Sequence, residues 1–236
     1  MQSQSLYQLL MHRPYPKYQV LDEASLEWLE ERLRPKYVDP SSVIDGYQPY
    51  PDDYLNLCDE WFVHESARIG IHGYRHMFRV SIFVWFVVQY CDLRSVLDDS
   101  QIRNLLNAAC LHDIRRHDDN ADLLHGKRSA EWIGQRMPGL LDPLSLEAIA
   151  CHVDDTVAAS NELSALLVKI LKTADALDRF RLPKEKWWPG PARTPLPADG
   201  LYGLCQFVTL GTERDALEHD TYSQKDMMLW LRRHRI

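Results

Sequence analysis

The chain has 236 residues, 45% of them hydrophobic and 26% charged, with a formal net charge of −7. That is enough apolar material for one large buried core. The negative balance argues against a duplex nucleic-acid binder, which needs a basic face against the phosphates. Cysteines stand at positions 58, 91, 110, 151 and 205, an odd number without zinc-ribbon spacing. They read as reduced, mostly buried thiols of a cytoplasmic protein.

Residues 1–20 are polar with scattered aromatics and prolines, and read as an irregular arm without a signal-like apolar region. Asp22 then caps a predicted helix with a Leu26, Leu29, Leu33 stripe, stopped by Pro35. Residues 36–50 read as a loop. Tyr54, Leu57, Cys58, Trp61 and Phe62 fit the i, i+3, i+4, i+7, i+8 template and predict the next helix. Val80 to Tyr90 is apolar on every side, which predicts a central buried helix, with a buried strand as the competing reading. Its longest apolar run, Ile82 to Val88, is far below the roughly 20 residues that span a bilayer, so no membrane is expected as a partner. His72 and His76, four apart, share the face at its start.

Leu105, Leu106, Ala109 and Cys110 have helical spacing and carry His112 and Asp113 at their end. An imidazole and a carboxylate at the edge of an apolar face need either each other or a divalent ion, because burying them unpaired is costly. Residues 114–122 are polar and predict a surface loop. A helix is predicted over 127–137, with Ala130, Ile133 and Met137 on one face. Asp142-Pro143 opens another that runs to about His152, which falls on the buried side with Ala148 and Ile149. A long helix from near Asn161 places Asp175 on the face of Leu167, Val168 and Leu171, with Asp178 and Arg179 behind it. Residues 184–191, with Trp187-Trp188, predict an ordered loop. Leu201–Leu210 reads as a short apolar element, and Ser223 with Asp226 starts a final helix. The whole is one all-α domain, 1–236: a core at about 53–182, an N-terminal arm and helix at 1–52, and a C-terminal cap at 183–236.

His76-x-x-Arg79-Val80, then His112-Asp113, then Ala174-Asp175-Ala176-Leu177-Asp178-Arg179 resembles the signature of the HD-domain metal-dependent phosphohydrolases, over about residues 65–182. Asp122-x-x-His125-Gly126-x-x-Ser129-Ala130, with His72-Gly73 upstream, resembles one branch of small bacterial HD proteins. The resemblance implies a compact helical bundle with His76, His112, Asp113 and Asp175 on a divalent metal. It also implies that His125 and His152 hold a second metal or the substrate phosphate.

Such a donor set suits Mn, Fe, Co, Ni or Mg, as one or two ions, and the lack of thiolates disfavours structural zinc. Asp113 is the natural bridge between two ions, having two oxygens. The expected reaction is attack of metal-activated water on a small phosphorylated molecule, with Asp113, His125, Arg116 and Lys127 as catalytic residues. Arg115, Arg128, Arg179 and Lys184 are further candidate cations for the phosphate, and Asp122 for orienting His125. Two alternatives keep the fold: a di-iron oxygenase on the same six ligands, and a regulatory module without catalysis. The Trp187-Trp188 segment and the last helix are candidate contacts for a partner or homodimer.

Overall fold

The computed structural model describes residues 37–117, 122–154, 159–181, 193–219 and 223–236. The described residues form α1 (Glu65–Ile69), α2 (Tyr74–Tyr90), α3 (Asp99–Leu111), α4 (His125–Arg136), α5 (Pro143–Cys151), α6 (Glu162–Leu177), α7 (Tyr202–His219) and α8 (Gln224–Arg233), joined by turns and short 3-10 segments. They contain no strand, so the fold is all-α. None of these helices is long and apolar enough to cross a membrane. The predicted helix at Asp22 and the Trp187-Trp188 loop, with Lys184, lie outside the described residues.

Helix α2 is the axis. Every residue from Arg75 to Val88 is buried, the charged ones included, and α3 and α6 pack along it. The β-branched run that left a strand open is helical because it is surrounded on all sides, where packing outweighs propensity. Helices α4 and α5 pair with each other, and α5 rests on α3 and α6. The starts follow their capping chemistry. Asp98 and Gln101 form a reciprocal box at α3, Asp142 accepts from Ser145 N at 2.7 Å at α5, and Asn161 caps α6. Ser223 and Asp226 box the start of α8 as expected.

Three expectations are corrected. Tyr54 to Cys58 is not helical, and only Asp59–Trp61 makes a 3-10 turn. Tyr54, Leu55 and Leu57 still pack against the core, with Tyr54 5.1 Å from Phe78 ring to ring, while Cys58 is exposed. The backbone, however, is satisfied by another helix: Leu57 N donates to Gln224 Oε1 at 2.7 Å, and Gln224 Nε2 donates to Leu55 O at 3.1 Å. A side-chain amide has replaced the intrahelical partner, so apolar spacing alone misled.

The segment after Asp113 is not wholly on the surface, since Ile114 and Arg116 are buried. Helix α7 is also far longer than the short element expected. It carries Thr209, Thr212 and Glu213 buried among its apolar residues, so its polar residues do not mark a solvent face. A Cβ at Gly211 would collide with the Trp230 ring, so glycine there lets α7 and α8 close together.

Candidate metal centre

Five helices end at one place. His76 lies in the first turn of α2, and His112 and Asp113 directly follow α3. His125 opens α4, His152 follows α5, and Asp175 is in the last turn of α6. His76, His112, Asp113, His125 and His152 are all buried, and Asp175 is partly exposed. His125 reaches His152 because position 126 is glycine. A Cβ there would sit 2.5 Å from Ile149 O and 3.1 Å from His152 Nδ1.

Ring nitrogens in this cluster are sorted by their neighbours. A carbonyl only accepts, so His112 Nδ1 donates to Ala109 O at 2.7 Å and His152 Nδ1 donates to Ile149 O at 2.6 Å. His76 Nδ1 donates to the Asp178 carboxylate at 2.7 Å. Each of these rings therefore turns an Nε2 lone pair inward, the arrangement in which outer partners fix metal-binding imidazoles. The buried Nε2 of His112 has no hydrogen-bond partner. His125 Nδ1 faces both the Asp122 carbonyl and Arg116 Nη1, the latter at 3.0 Å. A proton on Nδ1 satisfies the carbonyl and leaves Nε2 bare. A proton on Nε2 points instead at Asp113 Oδ1, 2.8 Å away.

The two oxygens of Asp113 face two groups. Oδ2 lies 3.8 Å from His76 Nε2 and 3.7 Å from His112 Nε2. Asp175 Oδ1 completes that group at 3.2 Å from His76 Nε2 and 4.0 Å from His112 Nε2. Oδ1 faces His125 Nε2 at 2.8 Å and His152 Nε2 at 3.7 Å, and those two nitrogens are 3.0 Å apart. Atoms bound to one ion at about 2.1 Å stand about 3 Å apart when adjacent and at most about 4.2 Å apart when opposite. The imidazole–carboxylate pairs of the first group and all three pairs of the second meet that condition. His76, His112 and Asp175, and His112, Asp113 and His152, are close enough to hold a metal ion.

Ionisation agrees with the geometry. Burial pushes His112 down to about 4, beyond what the Asp113 carboxylate restores, so its imidazole is neutral at neutral pH. Burial alone would raise Asp113, but the facing His125 and His112 outweigh it and hold its carboxyl well below the usual range. Asp175 is likewise depressed against its burial, chiefly by His76.

A shell of buried charge supports the cluster. Asp178 accepts from His76, from Arg79 Nε at 2.6 Å and from Thr209 Oγ1 at 3.0 Å. Arg79 reaches on to Glu213, which Arg75 also contacts at 3.2 Å. Arg181 Nε donates to Ile71 O and its Nη1 to Asp178 O, both at 2.7 Å, and its Nη2 lies 3.4 Å from His76 Nε2.

No family model, curated protein or solved structure matches this chain.

His76, His112, Asp113, His125, His152 and Asp175 thus come together, and Arg116 sits against His125. Lys127 does not join them. It is exposed, and its charge is felt by the Cys151 thiol. Arg128 pairs with the Asp122 carboxylate, and Arg115 Nη1 donates to Trp61 O at 3.0 Å. It is the Asp122 backbone carbonyl, rather than the carboxylate, that orients His125. Sequence reading missed Arg181, Thr209 and Glu213. Arg181 is three residues beyond Asp178, a signal of a buried partner, whereas Glu213, next to Arg214 and Asp215, reads as a solvent-facing charge.

Proposed function

We propose that the chain is a metal-dependent phosphohydrolase acting on a nucleotide or another small phosphate ester. The observation that carries this reading is Asp113, whose two oxygens face two imidazole groups with metal-compatible spacing. His76, His112, Asp113 and Asp175 would hold one ion, and Asp113, His125 and His152 a second. A Mn, Fe, Co, Ni or Mg ion would supply a lowered pKa for coordinated water and a positive charge against the phosphoryl oxygens. Arg116 and Arg181, both buried beside the ligands, would bind the substrate phosphate and oppose the charge that builds on it. Asp178, the Ala109 carbonyl and the Ile149 carbonyl keep the ligand rings oriented. Burial of the ligand set excludes bulk water from the charged groups. Lys127, exposed and apart, is left out of this reading.

The test compares the wild type with His112→Ala and Asp113→Ala, each loaded with Mn2+, against a panel of phosphomonoesters and phosphodiesters. Hydrolysis of at least one substrate by the wild type, reduced by 100-fold or more in both variants (on the order of 3 kcal/mol of barrier), is expected. Equal rates in all three proteins would reject the reading. So would oxygen consumption by the iron-loaded protein without any phosphate release.

A further inference from the structure

We infer that His72 is a further ligand, binding through Nδ1 beside His76 and Asp113 Oδ2; this rests on the metal reading above. His72 stands in the turn between α1 and α2, one helical turn before His76, and Gly73 caps α2 between them. A side chain at Gly73 would collide with the Arg68 carbonyl, so glycine allows the turn that aims His72 back at the cluster. Its Nδ1 lies 3.3 Å from Asp113 Oδ2. That is the separation of adjacent ligands on one ion. His72, His76 and Asp113 each offer an atom within 4.8 Å of the others.

Two further observations separate a ligand from a bystander. The first is the lone pair. His72 Nδ1 is turned toward the cluster, between Arg181 Nη2, which only donates, at 3.4 Å and Asp113 Oδ2, which only accepts, at 3.3 Å; in the tautomer protonated at Nε2 its lone pair faces the site. The same guanidinium atom is 3.4 Å from His76 Nε2, so both nitrogens already face one positive charge. The second is position. The His72 side chain is 19% exposed, whereas His76 and His112 are fully buried. The His72 and His76 rings meet edge-on, with centroids 5.6 Å apart. His72 therefore approaches from the solvent side, opposite the packed core, and would close the set formed by His76, His112, Asp113 and Asp175. Asp175, with a side chain 27% exposed, is the other member of the set open to solvent.

The experiment titrates Co2+ into the full-length, metal-stripped protein and follows both affinity and the visible absorption band, which reports the number and type of ligands. Wild type, His72→Gln and His72→Ala are compared, with thermal melting of each metal-free form as the check on folding. Both variants are expected to bind Co2+ at least about tenfold more weakly, with an altered band. Free imidazole added to His72→Ala should return the band toward that of the wild type, since the site is partly open to solvent. Wild-type affinity and spectrum in both variants would overturn the role of His72 and leave the metal reading standing. Failure of the wild type to bind Co2+ would overturn both. Should the two variants fail to melt cooperatively, His72→Asp, which keeps a ligand oxygen, decides by the same two readouts.

Discussion

At His76 the two ring nitrogens have separate tasks. Nε2 faces the cluster and Nδ1 is fixed by Asp178, which burial alone would raise but which Arg79 and Arg181 hold far below the ordinary carboxylate range. Asp178 is thus a permanent anion that sets the imidazole tautomer. Asp178→Ala should cost about 3–5 kcal/mol of stability in urea unfolding, because it strands the buried Arg79 guanidinium. Asp178→Asn keeps the volume and should instead weaken divalent-metal affinity about 10–100-fold in calorimetry. Unchanged affinity in the Asn variant would mean that the ring is held by packing alone. His76, His112, Asp113 and Asp175 were legible in the sequence as polar residues flanked by apolar helical faces, whereas His125 and His152 were assigned roles through the family resemblance. The outer partners of the rings were less legible. Ala109 O and Ile149 O are backbone groups, which no side-chain pattern announces.

Helices were legible where capping and periodicity agreed. The Ser223–Asp226 start and the Asp142-Pro143 start each placed an element correctly. Where periodicity stood alone it failed, as over Tyr54–Phe62, because the backbone there is satisfied by Gln224 on α8. Gln224 is buried and serves both a donor and an acceptor of that non-helical segment. Gln224→Ala should therefore cost about 1–3 kcal/mol, read as a lower urea midpoint at unchanged slope. A neutral substitution would mean that water replaces the amide there. Helix α7 was underestimated for the converse reason. Thr209 and Glu213 look like solvent-facing positions, yet they are buried against Asp178 and Arg79.

Among the described residues one buried cluster runs from Ile44 to Ile236, and the charged chain His76–Asp178–Arg79–Glu213 links the start of α2 to α7. His76 and Asp175, 99 positions apart, lie 3.2 Å from each other. Metal binding to such a site would be coupled to folding: an ion that binds only the folded state stabilises it by about 2.7 kcal/mol at 100 times its Kd. For a chain of this length that is a rise of roughly 5–11 °C in Tm. Mn2+ should raise the melting temperature by this order, a chelator should reverse it, and Asp113→Asn should show no shift; an equal shift in that variant would place the binding elsewhere. The most direct measurement is an anomalous difference map from crystals grown with Mn2+. The account predicts density between Asp113 Oδ2, His76, His112 and Asp175, and for a second ion between Asp113 Oδ1, His125 and His152. A map with no peak within about 3 Å of Asp113, in protein whose His76 and Asp175 side chains are well ordered, would contradict it.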